Sequence, residues 1–191
     1  ENNGLRVGLG LKREQLKNNG YQSIVNRIAD NAQWKSRLLY FTIFNEDNDR
    51  KELTKYWNGS PKRMYETAGL AADWILANHQ DFLVTAAFKE PLIRSHNEPY
   101  FIPFIEKLHF VGFNIYRADN ILVRSPMLEW NHMANEYGLM FPPMAILELS
   151  GADAYNDITQ SFDEETQRRV YEKILPQAYS FIEHQRISGF A

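Results

Sequence analysis

The chain contains no cysteine, and this absence excludes several kinds of chemistry at once. Disulfide bonds, thiolate zinc sites, iron–sulfur ligation and a cysteine nucleophile all require the missing sulfur. The sequence also lacks a glycine-rich phosphate loop, a GxSxG motif and an HExxH motif. The usual signatures of phosphate binding, serine hydrolysis and zinc proteolysis are therefore missing, and no stretch of the chain resembles a known family.

The chain also has little excess of either positive or negative charge. The net charge is -3, and the longest basic clusters are Lys12-Arg13 and Arg168-Arg169. Nucleic-acid-binding proteins usually carry a basic stripe, so we expect no nucleic-acid partner. No apolar run approaches the roughly 20 residues that a membrane span needs, so we expect no span. With 44% hydrophobic and 14% aromatic residues, the sequence predicts one globular domain over residues 1–191.

The start of the chain bears on its location. The first residue is Glu1 and not methionine, which is consistent with a cleaved signal peptide. The absence of cysteine is compatible with an oxidising compartment. Together these features favour an extracytoplasmic or secreted location, while an excised domain or a trimmed tag would explain the same start.

Hydrophobic periodicity predicts both strands and helices. Apolar alternation or nearly continuous apolar sequence predicts strands over Leu5–Leu11, Ser36–Phe44 and Phe82–Phe88. Amphipathic spacing with capping residues predicts helices over Tyr21–Asp30, Ser60–Asn78, Ser125–Tyr137 and Asp163–Gln185. A loop is expected around Phe141-Pro142-Pro143.

The aromatic middle of the chain determines the predicted fold class. Two further strands are predicted over Phe110–Tyr116 and Ile121–Arg124, joined by a turn near Ala118-Asp119-Asn120. A hairpin pairs its strands antiparallel. The prediction is therefore an α+β domain with a mixed, partly antiparallel sheet and helices packed on it, as a single pair of layers.

A ligand pocket is predicted beside this hairpin. Tyr116 and Arg117 lie at the end of one predicted strand, Arg124 lies at the end of the other, and Trp130 follows on the next helix. Arginines beside aromatic rings bind carboxylates while the ring contacts the apolar part of a ligand. The same residues are also consistent with an alternative that needs no ligand, in which Tyr116 is part of the core and Arg117 forms an ordinary salt bridge with Asp119 in the turn. Our leading hypothesis is a small-molecule-binding module, such as an extracytoplasmic sensory or binding domain of a larger system.

Two other hypotheses stay open. In a metal-dependent enzyme, His79, Asp81 and either His132 or His184 would bind Fe(II), and Arg186 would bind a co-substrate. The helix dipole favours a histidine at a helix C-terminus without any metal, so no cofactor or metal is predicted and enzymatic activity is left undecided. In a protein-interaction domain, the C-terminal helix Asp163–Gln185 would contact a protein partner.

The polar run Asn45–Asp49 resembles an oxygen-rich calcium loop in composition. It lacks the glycine at the sixth position and the glutamate at the twelfth that such a loop needs. The sequence therefore predicts a solvated turn.

Overall fold

The computed structural model describes residues 6–89, 99–115, 124–138, 143–149, 155–156, 161–165, 168–169, 171–172, 175–176 and 189–190. Five strands of four to eight residues are followed by three strands of two residues: β1 Val7–Gly10, β2 Leu38–Asn45, β3 Leu83–Lys89, β4 Val111–Ile115, β5 Met144–Leu149, β6 Tyr155–Asn156, β7 Ser161–Phe162 and β8 Gly189–Phe190. Helices occupy most of the described connections: α1 Arg13–Lys17, α2 Tyr21–Ala29, α3 Ala32–Lys35, α4 Arg50–Trp57, α5 Pro61–Asn78, α6 Phe101–Ile105 and α7 Arg124–Tyr137.

The main sheet is parallel throughout. Its strand order is β1-β2-β3-β4-β5-β8, and each neighbouring pair is parallel. Only the small separate pair β6-β7 is antiparallel among the described strands. The predicted mixed, partly antiparallel α+β sheet is therefore wrong, and the protein has an α/β fold.

The predicted hairpin accounts for this error. Strand β4 pairs with β3 on one side and with β5 on the other, both parallel. Residues 121–123 lie outside the described residues, and Arg124 is the first residue of α7. The turn signal at residues 118–120 suggested an antiparallel partner, whereas the nearly continuous apolar runs of β2 and β3 are typical of parallel strands buried on both faces.

The strands follow one another across the sheet in chain order, with no reversal between β1 and β5. Crossovers between parallel strands are right-handed, so successive crossovers in one direction place their helices on one face of the sheet. This is the winding found in (β/α) barrels. Doubly wound sheets reverse direction and carry helices on both faces.

The helix-facing side of the sheet is an aromatic core. Phe44 stacks on Phe104 of α6 at 5.5 Å and meets Phe88 edge-on at 5.0 Å. Phe88 in turn contacts Phe113 of the next strand. All four rings are buried. These rings exclude water and pack the helices onto the sheet.

The opposite face carries smaller and more polar residues. Thr85 and Asn114 are fully buried, and the Thr85 hydroxyl donates to the Phe110 carbonyl at 2.8 Å. At Gly112, a Cβ would overlap the side chain of Leu147 on the neighbouring strand. Position 112 therefore has no room for a side chain.

Local signals explain where the longest helix begins and ends. The Ser60 side chain accepts the backbone N–H of Arg63 at 3.2 Å, and Pro61 occupies the first turn. The helix ends at Asn78, before the next strand. In the described part of the chain, no helix is both long enough and apolar enough to cross a membrane.

Candidate functional site

The carboxyl ends of parallel strands lie at one edge of the sheet, and ligands usually bind there in α/β folds. In this protein four polar residues meet at that edge. We call them the carboxyl-edge cluster: Asn45 at the end of β2, Glu46 and Asp47 directly after it, and Asn114 in β4.

Asn114 joins the strands of this cluster. Its side-chain amide donates to Asn45 Oδ1 at 2.9 Å and to Glu46 Oε1 at 2.9 Å. Asn114 is fully buried, whereas Glu46 is half-buried and Asn45 is exposed. The amide therefore holds two oxygen acceptors together at a place that a ligand can reach from solvent.

Glu46 adopts an unusual backbone conformation. Its φ is 59°, in the left-handed region that side chains other than glycine rarely occupy. Its backbone N–H donates to the Ala87 carbonyl at 2.8 Å, which continues the β2–β3 ladder past the end of β2. Strained conformations of this kind cost about 1–3 kcal/mol and concentrate at functional sites. In this conformation the Glu46 side chain accepts the hydrogen bond from Asn114.

Asp47, the residue after Glu46, is buried and holds the loop to two neighbouring side chains. Its carboxylate accepts Arg13 Nε at 2.8 Å and Trp57 Nε1 at 2.6 Å, and its side chain is fully buried. Burial raises the pKa of Asp47, although Arg13 and Trp57 oppose that shift. Arg13 also donates to the Asn45 carbonyl at 3.2 Å and pairs with Glu52 at 2.8 Å. One guanidinium therefore binds the residues on both sides of Glu46, Asn45 through its backbone carbonyl and Asp47 through its carboxylate.

The rest of the loop is tied to β3. The Asn48 side chain donates to the Lys89 carbonyl at 2.7 Å and accepts the Lys89 N–H at 2.9 Å. Asp49 caps α4 by accepting Lys51 N–H, and it pairs with Lys89 Nζ at 3.0 Å. Burial alone would raise the pKa of Asp49, but the bonds from Lys89 and Lys51 bring it below its ordinary value.

Two of the four predicted pocket residues, Tyr116 and Arg117, lie outside the described residues. Arg124 is the first residue of α7. Trp130 is 5% exposed and meets Phe113 edge-on at 5.9 Å, so it belongs to the core between α7 and the sheet. The pocket at these positions stays a prediction.

The residues of the metal hypothesis lie elsewhere. His79 and Asp81 lie between α5 and β3, at the amino ends of the strands, where His79 Nε2 is 2.8 Å from Asn26 Oδ1 and Asp81 pairs with Lys35 at 2.5 Å. His132 is exposed on α7. His184 and Arg186 lie outside the described residues. The described part of the chain contains no group of three or more histidine, aspartate or glutamate residues that could hold a metal ion.

A groove of about 420 Å³ lies between α5 and α6, on the helical side of the domain. Its lining is mostly apolar and includes Leu70 and Phe104. Its charged groups pair with neighbours, because Lys107 binds Asp73 at 2.6 Å. The carboxyl-edge cluster brings more polar groups to one place, so it is the better candidate site.

Sequence reasoning missed this cluster. The predicted solvated turn at Asn45–Asp49 contains the fully buried Asp47, and Asn114 lies in a mostly apolar strand that was predicted without a polar site. The available signal was position: polar residues directly after a buried strand, in a chain where strands and helices alternate, lie at the carboxyl edge.

The fold and the cluster define a class: a singly wound parallel α/β domain with a candidate site at the carboxyl edge of its sheet. No family model and no curated protein matches the chain. Two solved structures from Bacteroides uniformis match its fold, β-glucuronidase and β-glucuronidase 2 covalently bound to cyclophellitol-6-carboxylate aziridine. Each match has a TM-score of 0.56 and 17% identity, and covers 82% of this chain. The chain spans only 19% of either matched chain, and the likeness concerns the fold alone.

Proposed function

We propose that the protein is a small-molecule-binding domain whose ligand is a carbohydrate held at the carboxyl-edge cluster. The observation that carries this proposal is the convergence of the Glu46 carboxylate with the Asn45 and Asn114 carboxamides. Carboxylates accept hydrogen bonds, and carboxamides both accept and donate them. Neighbouring sugar hydroxyls match such a set, because each hydroxyl is a donor and an acceptor.

Charge supports a hydroxyl-rich ligand next to Glu46. Among the described residues the Glu46 carboxylate forms no ion pair, while the nearby Arg13 is engaged by Asp47 and Glu52. A half-buried carboxylate with an amide donor on one side has room for further donors on the other. The fold likeness to β-glucuronidase is consistent with this ligand class. The extracytoplasmic sensory role stays a prediction.

The test uses Glu46→Gln, with Asp81→Asn as a matched loss of one carboxylate at the opposite edge of the sheet. Thermal unfolding is followed with glucose, galactose, mannose, xylose and glucuronate. A sugar at 100 times its dissociation constant adds about 2.7 kcal/mol to stability, and we expect this rise in the wild type and in Asp81→Asn. We expect the rise to be lost in Glu46→Gln. A rise of equal size in Glu46→Gln, or no rise with any of these sugars, would contradict the proposal.

A second candidate function is glycoside hydrolysis. Glycosidases use two carboxyl groups beside the scissile bond. Glu46, whose carboxylate accepts the Asn114 amide at 2.9 Å, would supply one of them. The test is the release of 4-nitrophenol from 4-nitrophenyl glycosides. Hydrolysis lost in Glu46→Gln, but kept in Asp81→Asn, is the expected result for an enzyme.

A further inference from the structure

Three cations surround one aromatic ring beside the proposed site. The Tyr56 ring centroid lies 4.3 Å from the Arg13 guanidinium carbon, 4.7 Å from Lys55 Nζ and 5.8 Å from Lys17 Nζ. Lys17 Nζ also lies 5.0 Å from the Trp57 ring and donates to the Tyr56 carbonyl. We call Lys17, Lys55 and Tyr56 the Tyr56 cation cluster. Its members belong to two helices, α1 and α4, so the tertiary fold brings them together.

The three cations differ in how their charge is balanced. Arg13 forms ion pairs with Asp47 and Glu52. In the described part of the chain, Lys17 and Lys55 form no ion pair with an acidic side chain, and both are exposed. A hydrogen bond to Tyr56 raises the pKa of Lys55 above its ordinary value. Two ammonium groups near one ring repel each other, and an anionic ligand beside them would offset that repulsion.

The cluster adjoins the carboxyl edge through a single side chain. The Arg13 guanidinium contacts the Tyr56 ring and also donates to the Asn45 carbonyl at 3.2 Å. A ligand longer than one sugar unit at Asn45 and Glu46 therefore has these lysines within reach in that direction. Because the chain has a net charge of -3 and no extended basic stripe, an acidic carbohydrate fits the small cation cluster better than a nucleic acid does.

We propose that Lys17 and Lys55 bind the acidic groups of an oligosaccharide, so that the site takes acidic rather than neutral chains. This inference rests on the carbohydrate-binding function proposed above. The shared chemistry is an anionic group on a sugar, a carboxylate or a sulfate. The carboxamides and Glu46 would hold one sugar unit by its hydroxyls, and the lysines would select a charged neighbouring unit.

The experiment measures calorimetric binding of hexagalacturonate, its carboxyl-reduced hexamer and sulfated maltohexaose. The variant is Lys17→Gln/Lys55→Gln. The matched control is Arg27→Gln/Lys35→Gln, which removes two positive charges near the amino edge. We expect the first variant to bind the acidic hexamers about tenfold more weakly, since each exposed charge pair contributes modestly, and to bind the reduced hexamer unchanged. Weakening with one acidic hexamer alone would show which anionic group the lysines recognise.

Several outcomes would overturn the proposal. Unchanged binding of both acidic hexamers in Lys17→Gln/Lys55→Gln is one, and an equal loss in the control variant is another. Tighter binding of a single-stranded hexanucleotide than of any acidic hexamer would favour nucleic acid instead.

The Glu46→Gln variant separates this inference from the proposed function. If Glu46→Gln binds every hexamer like the wild type while the lysine variant loses only the acidic ones, the proposed site is wrong and the anion site stands. If the wild type binds none of them, both are wrong.

Discussion

The two ends of the parallel strands carry polar clusters of opposite character. At the amino edge, His79 contacts Asn26, and Asp81 pairs with Lys35, with about half of each partner of that ion pair exposed. At the carboxyl edge, Asp47 is fully buried between Arg13 and Trp57. Charges in water interact weakly, whereas a buried and hydrogen-bonded carboxylate fixes its surroundings. Both edges use an aspartate, so the difference between them comes from burial and not from residue type. The exposed aspartate forms a weak surface ion pair, and the buried one holds its neighbours in place.

The largest expected effect is the loss of the buried carboxylate. Asp47→Ala leaves the Trp57 N–H and the Arg13 guanidinium without their acceptor, so we expect a loss of about 2–4 kcal/mol in the free energy of unfolding. Urea unfolding measures it. The corresponding change at the amino edge, Asp81→Ala, is expected to cost at most about 1 kcal/mol, because its ion pair with Lys35 is exposed. Equal costs at the two edges would remove the contrast.

A smaller effect is expected from relief of strain at Glu46. Glycine adopts a positive φ readily, so Glu46→Gly should leave stability unchanged or raise it by up to about 1 kcal/mol. The same change in a regular helix, Glu66→Gly in α5, is expected to cost about 1 kcal/mol. Thermal unfolding compares the two variants. A loss at Glu46 as large as that at Glu66 would show that its backbone is not strained.

The smallest effect is a difference in pH dependence. Burial raises the pKa of Asp47, and the hydrogen bond from Lys35 lowers the pKa of Asp81. Because the native state holds the Asp47 proton more tightly than the unfolded chain does, the pH-dependent part of the stabilisation from Asp47 is lost as the pH rises from about 4 towards its folded pKa. The stabilisation from Asp81 is lost in the other direction, as the pH falls below about 4 through its folded pKa.

The measurement compares unfolding free energies of the wild type with Asp47→Asn and with Asp81→Asn between pH 2 and about pH 7. The advantage of the wild type over Asp47→Asn should shrink as the pH rises. Its advantage over Asp81→Asn should grow. Slopes of the same sign would contradict the assignment of opposite pKa shifts to the two edges.

The sequence predicted several elements well. The helix predicted over Ser60–Asn78 appears as α5 Pro61–Asn78, because a serine cap and a proline in the first turn are local signals. The strand predicted over Phe82–Phe88 appears as β3 Leu83–Lys89. Strand β5 Met144–Leu149 was not predicted, because a short, mostly apolar segment beside Phe141-Pro142-Pro143 has no periodicity that separates it from a loop or a helix.

The candidate site was not predictable to the same degree. Asn45, Glu46 and Asp47 are consecutive, and their composition alone matched an ordinary turn. Asn114 lies 68 residues from Glu46, and only the parallel arrangement of β2, β3 and β4 brings the two side chains within 2.9 Å. An antiparallel hairpin at β4 would have changed the neighbours of Asn114.

The sequence by itself determined the approximate spans of α2, α5 and α7 and of β1 to β3, together with the capacity for an aromatic core. Hydrophobic period and caps act over a few residues, so they can be read along the chain. Only the tertiary structure decided the direction of strand pairing, the burial of Asp47 and the contact of Asn114 with Glu46. Those features depend on which distant segments become neighbours, and a long-range crossover leaves no local signal of its direction.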